Sequence, residues 1–175
     1  IYALQLAETK LKFEHRDLYM DIFTSLALII IFRHLGNILC KKTTRNDIRI
    51  NSKRKLETHG IICSIIDFSL ARLQPDEKSI IFSDLSNENW LFSGDEAISP
   101  QYSVYRKMKS IAEKNDWSAF RPKSNIFWLE YILRTLLERI PVVKRKGPVY
   151  QVLLELEGKL NGVSSSSQLL DLVLS

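Results

Sequence analysis

The stretch from His15 to Asn37 constrains this 175-residue chain more than any other. It opens on His15-Arg16-Asp17-Leu18 and closes on His34-Leu35-Gly36-Asn37. Between them Ile22 to Phe32 is an 11-residue apolar run, interrupted only by Thr24 and Ser25. A bilayer needs about 20 apolar residues, so an anchor at residues 22 to 32 is the weakest reading. The run is either a short buried helix or an unsupported insert.

The length suffices for one domain with a core. A formal net charge of +5 is mild. The basic clusters Lys53-Arg54-Lys55 and Lys144-Arg145-Lys146 carry no interleaved aromatics. They read as solvated faces, and no direct nucleic-acid site is argued from them. The two cysteines, Cys40 and Cys63, form no Cys-x-x-Cys pair. That disfavours a disulfide framework or a zinc site, and makes a reducing compartment the default. The first residues of the chain lack a charged region followed by an apolar one, so no signal peptide is expected. Its first residue is Ile1, so a fragment lacking its N-terminus is expected.

Periodicity predicts a helical stretch over Ala3 to Phe13. Strands are expected at Ile38 to Lys41, Asp47 to Asn51, Ile61 to Ile66 (a β-branched, buried one) and Lys78 to Ser83. Asn51 to Gly60 reads as a surface loop. The remainder reads as helices. These run from Tyr102 to Lys114, from Ile126 to Ile140, from Val149 to Leu160 and from Gln168 to Leu174. The second is central and buried, capped by Ser124 or Asn125 and ended by Pro141. The third starts at Pro148 and gathers Val149, Val152, Leu153, Leu156 and Leu160 on one face.

Asp17 and Asp67 stand out by context. Asp67 ends a β-branched strand and precedes Phe68. In this order two carboxylates suit phosphoryl transfer, which needs one to orient a hydroxyl nucleophile. A second carboxylate, with an amide oxygen, holds magnesium against nucleotide phosphates. Protein kinases place the amide five positions after the first aspartate. Here Asp17 and Asn37 are twenty positions apart, and removing the fifteen residues Tyr19 to Arg33 restores the spacing.

With that segment set aside, Phe13-Glu14-His15-Arg16-Asp17-Leu18 runs into His34-x-Gly36-Asn37. Ser64-Ile65-Ile66-Asp67-Phe68-Ser69-Leu70-Ala71-Arg72-Leu73 follows, then Leu91-Phe92-Ser93-Gly94-Asp95 and Val104-Tyr105-Arg106-Lys107-Met108-Lys109. Pro122-x-Ser124-Asn125-x-x-Trp128-Leu129 completes the set. This ordered set resembles the C-terminal lobe of haspin-type serine/threonine protein kinases, an atypical family that phosphorylates histone tails in mitosis.

The resemblance implies an α+β fold. It would be the mainly helical C-lobe of a protein-kinase-like fold, with short strands around the catalytic loop and the N-lobe absent. Residues 1–175 would form a single partial kinase domain, and 19–33 an insertion within its catalytic loop, from retained intron or a gene-model error. Asp17 is then the catalytic base, Asn37 and Asp67 the magnesium and nucleotide ligands, and His15 and Arg16 supports of the loop. Glu88 and Asp95 are candidates for gripping a basic substrate tail, with Trp90 where another acidic residue is expected. Ser103 stands where the family has an aspartate that anchors the loop. ATP and Mg2+ are the implied cofactors, a threonine of the histone H-three tail in chromatin the implied substrate. A monomer is expected, in the nucleus and on mitotic chromosomes, or in the cytoplasm. The six glycines form no G-x-G-x-x-G loop, and no V-A-I-K lysine is present, so the isolated chain is expected to be inactive. The rival reading is a non-catalytic, pseudokinase-like interaction domain.

Overall fold

A computed structural model describes residues 1–20, 33–49 and 55–174. The apolar run Ile22 to Phe32 lies outside the described residues, as do residues 50–54. Contacts divide the chain into two compact units, Ile1–Asp17 with Phe68–Ser175, and Leu18–Asp67. Helices dominate the first, small antiparallel sheets make up the second, and the class is α+β.

The first unit begins with α1 (Tyr2–Leu11). Lys12 closes it in the left-handed conformation, donating its N–H to the Glu8 carbonyl at 3.0 Å. After Phe68 come the two-residue strands β6 (Arg72–Leu73) and β7 (Ile81–Phe82), all that forms of the strand expected over Lys78 to Ser83. Then follow α2 (Asn89–Ser93), α3 (Gln101–Ile111), α4 (Lys123–Arg139), α5 (Pro148–Leu160) and α6 (Ser166–Leu174).

α4 is the central helix, with Trp128 fully buried. Its stop is local chemistry: Pro141 pushes the preceding residue out of the helical region, and Ile140 sits at φ −69°, ψ 121°. Its start differs from expectation. The N-cap is Pro122, and Ser124 and Asn125 lie inside the helix with their side chains committed elsewhere. Ile126, Leu133 and Leu137 pack with Leu160, Val163 and Leu169, flanked by Leu153 and Leu156. Each such aliphatic side chain contributes about 1.5–3 kcal/mol on burial. On α3, Tyr105 meets Trp128 edge-on at 5.1 Å, and the Trp128 indole N–H donates to the Met108 sulfur at 3.2 Å. Val149 and Val152, expected on the packed face of α5, are exposed: Val149 lies in its first turn and Val152 at the edge of the stripe.

The second unit holds β1 (Arg33–Leu35), β2 (Ile38–Lys42), β3 (Asp47–Arg49), β4 (Lys55–Glu57) and β5 (Ile61–Ile65). β4 replaces part of the surface loop expected over Asn51 to Gly60, because β3 finds an antiparallel partner there. β1, β2 and β5 form one sheet in that order. Ile61 to Ile66 is not the buried strand its composition suggests. β5 is an edge strand, no helix lies over the sheet among this unit's described residues, and Ile61 is 52% exposed.

Candidate active site

Phe13 to Asp17 leaves α1 and runs beside β6, where Glu14 and Arg72 exchange backbone hydrogen bonds of 2.8 and 2.9 Å. The loop is then fastened by buried polar groups. Asn125 is fully buried. Its Oδ1 accepts the His15 backbone N–H at 3.0 Å, and its Nδ2 donates at 2.9 Å to both the Phe13 carbonyl and Glu8 Oε1. Glu8 also accepts the Ser166 backbone N–H (2.9 Å) and hydroxyl (2.7 Å), which satisfies the first turn of α6. Burial raises the Glu8 pKa above the usual carboxylate value, against the lowering by its Ser166 and Asn125 hydrogen bonds.

Glu14 is the second anchor. It accepts the Arg121 backbone N–H at 2.7 Å and the Ser124 hydroxyl at 2.8 Å. It also holds Arg16 through Nε and Nη2, both at 3.3 Å. Arg16 donates onward to the Trp117 carbonyl at 2.7 Å and lies over that indole at 5.5 Å. Only 1% exposed, it is a structural cation, and its pKa is lowered by burial, opposed by Glu14. Its φ of 67° is left-handed, a strain of about 1–3 kcal/mol that the network must hold. His15 is fully buried between Phe13 and Phe68, and its Nδ1 accepts the Asp17 N–H at 3.3 Å. His15 and Arg16 are thus both engaged with neighbouring groups of the loop and its surroundings.

Asp17, half-buried, accepts a hydrogen bond from the Tyr105 hydroxyl. Ser103, where a loop anchor was expected, instead donates to the Pro100 carbonyl at 2.8 Å in its own helix. Asn125 and Glu14 do the anchoring.

In the second unit, β1 and β2 are joined by a two-residue turn, Gly36-Asn37. Gly36 has φ +62°, and a Cβ there would meet the Tyr19 carbonyl and, at 2.9 Å, the Tyr19 ring. Only glycine suits the position. The Asn37 N–H donates to the Tyr19 carbonyl at 3.1 Å, and Met20 is buried. The first residues of the segment read as an insertion are thus packed within this unit. The Asn37 carbonyl accepts the Ile66 N–H at 3.1 Å, continuing the register that sets Ile38 opposite Ile65. Asn37 therefore lies across from Ile66, one residue before Asp67. Asp67 is exposed and also left-handed, with φ 60°.

An amide oxygen and a carboxylate are the ligand types that suit magnesium, which takes a few hard oxygen ligands and keeps sites for phosphate and water. Among the described residues no group of three or more His, Cys, Asp or Glu could form a fuller cage. The chain leaves the first unit after Asp17 and returns after Asp67.

Glu88 and Asp95 flank α2. Glu88 is its N-cap residue, and its carboxylate accepts the Trp90 indole N–H at 2.6 Å. Asp95 is exposed and caps its own turn through the Ala97 N–H at 2.8 Å. The neighbouring Glu96 pairs with Arg106 at 2.5 Å. Sequence reasoning missed Tyr105, Asn125, Glu14 and Glu8. Glu14, Tyr105 and Asn125 stand in the motifs quoted from the sequence, which gives them no part in holding the loop, and Glu8 lies in the first helix without a local signal.

A family model described as "Haspin like kinase domain" matches residues 1–168. The mouse (Mus musculus) serine/threonine-protein kinase haspin is 36% identical over 141 residues, 79% of this chain and 16% of the relative. The Drosophila melanogaster haspin homolog is 37% identical over 145 residues, 80% of this chain and 22% of the relative. The Arabidopsis thaliana homolog is 34% identical over 140 residues, 78% and 20% respectively. The chain spans about a sixth to a fifth of the length of these relatives. With its Asp17 loop, its Asn37–Asp67 hairpin and a family match that runs from residue 1 to residue 168, the chain belongs to the haspin-like kinase family.

Proposed function

We propose that this chain supplies the catalytic-loop half of a haspin-type serine/threonine kinase, transferring the γ-phosphoryl group of ATP to a threonine of a histone H-three tail. The observation that carries the reading is the β2–β5 register, which brings the backbones of the two candidate metal ligands close together just beyond the paired ends of those strands. Magnesium, when bound, neutralises charge on the phosphates. Asn37 and Asp67 would hold it. Asp17 accepts the proton of the substrate hydroxyl and orients its oxygen. Tyr105 and the His15 ring nitrogen fix where the Asp17 segment points. Glu88 and Asp95 supply negative charge for a basic peptide, with Glu88 steered by Trp90. The reading carries with it a nuclear, chromatin-facing protein.

The test uses the product of the complete, spliced coding sequence, with labelled ATP, Mg2+ and a histone H-three tail peptide. Label on threonine, lost when threonine is replaced by valine and when Asp67→Asn is introduced, is the expected result. Undiminished labelling by Asp67→Asn, or labelling indifferent to the threonine, overturns the reading.

A further inference from the structure

Cys40 and Cys63 have no part in phosphoryl transfer, yet the fold brings them together. They lie 23 residues apart in sequence and are direct partners across β2 and β5. Their sulfurs are 3.1 Å apart, and Cys63 is exposed while Cys40 is half-buried. Direct antiparallel partners hold their Cα atoms about 4.5–5.5 Å apart. Disulfides span about 4.4–6.8 Å between Cα atoms and close to a bond of about 2.05 Å. Bond formation here needs the sulfurs to approach by about 1 Å, which a χ1 adjustment can supply. The bland alternative is two small apolar side chains packing across a rung.

We propose that Cys40 and Cys63 are a redox modification site, forming a reversible cross-strand disulfide by exchange with a low-molecular-weight disulfide such as oxidised glutathione. The Cys63 thiolate attacks one sulfur of the small disulfide, releasing one small thiol and leaving a mixed disulfide. The Cys40 thiolate then attacks the Cys63 sulfur and expels the second small thiol. Two protein thiols are oxidised, one small disulfide is reduced to two thiols, and the two protons pass to those thiols. Cys63 is the entry thiol because it is exposed; Cys40 resolves it from 3.1 Å away. Disulfides of this kind in reducing compartments are transient and regulatory rather than structural staples. The location gives the cross-link a consequence. Cys40 stands three residues after Asn37, and Cys63 four before Asp67, so the bond ties the hairpin behind the candidate metal ligands. The inference rests on strand register and does not require the kinase reading.

The full chain is equilibrated with mixtures of reduced and oxidised glutathione, quenched with acid, and weighed intact and as peptides. The same is done in guanidinium. Because the chain has two cysteines, the unfolded chain can also close this loop, with an effective thiol concentration in the millimolar range. The native chain should exceed the unfolded one by about 10-fold or more, since strand pairing pre-positions the thiols. Cys40→Ser should stall as the mixed disulfide on Cys63, and Cys63→Ser should take up little glutathione. Equal effective concentrations in the two conditions overturn the proposal, as does a disulfide that forms only between chains. Glutathione accumulating on Cys40 in Cys63→Ser overturns the assigned order.

Discussion

Asn125→Asp exchanges one buried nitrogen for oxygen at nearly constant shape. The native nitrogen donates to the Phe13 carbonyl and to Glu8 Oε1, both at 2.9 Å. The new carboxylate would face both acceptors. Two unit charges at that distance repel by about 6 kcal/mol at an effective dielectric of roughly 20. The site has a cheaper answer, which is to bind a proton. Holding a proton at pH 7 on a carboxyl whose ordinary value is 4.5 costs about 3.4 kcal/mol, at about 1.36 kcal/mol per pH unit. The smaller figure sets the penalty, so the variant loses about 3 kcal/mol at pH 7. That is a large part of a typical stability of about 5–15 kcal/mol. The penalty falls by up to about 1.4 kcal/mol per unit as pH drops toward 5. The sign agrees with the native chain. Glu8 has a raised pKa, so its contribution is present below the ordinary value and is lost as pH rises through the folded value. Both proteins gain on acidification, the variant more. Urea unfolding at pH 5, 6 and 7 reads the difference, with Asn125→Ala as a control. The alanine variant loses three hydrogen bonds and leaves a cavity, an offset of about 3–5 kcal/mol, with a pH dependence through Glu8 smaller than that of the aspartate because no new carboxyl is added. An aspartate penalty that is flat with pH, or absent at pH 7, refutes this account of how the loop is anchored.

Glu14→Gln sets an amide N–H₂ among donors and leaves buried Arg16 without its carboxylate. Denaturation should register a loss of about 3–5 kcal/mol. Tyr105→Phe removes the hydroxyl that donates to Asp17, lowering stability by about 1–2 kcal/mol. It should reduce phosphoryl transfer more than ATP binding, as steady-state kinetics would report. Gly36→Ala forces alanine into φ +62° against Tyr19. The conformation alone costs about 1–2 kcal/mol, and hydrogen exchange at the Asn37 amide should quicken as its bond to Tyr19 weakens.

The candidate reactive residues were legible because chemistry fixes their types and order. Asp17, Asn37 and Asp67 keep the order that phosphoryl transfer demands, although Asp17 and Asn37 stand twenty positions apart. What holds them was hidden. Asn125 reaches His15 across 110 residues and Tyr105 reaches Asp17 across 88, and no local rule encodes such meetings. Ser124 and Asn125 sit where the capping preference favours Ser and Asn, but buried partners at Glu14 and Glu8 claimed both side chains. The β-branched composition of Ile61 to Ile66 read correctly as a strand and wrongly as buried, since burial depends on what covers a strand. The Cys40–Cys63 pair was invisible for a similar reason. Only the register of β2 on β5 makes neighbours of residues with no motif spacing.

The central claim is that Asp17 is the base of a haspin-type phosphoryl transfer. The measurement that tests it most directly is kcat for labelled phosphate transfer from ATP to the histone H-three tail peptide. It compares wild type with Asp17→Asn in the product of the complete, spliced coding sequence, with ATP affinity measured alongside. A drop in kcat of about 10²–10⁴-fold with ATP binding retained is the predicted result; an Asp17→Asn protein that turns over like the wild type contradicts the claim.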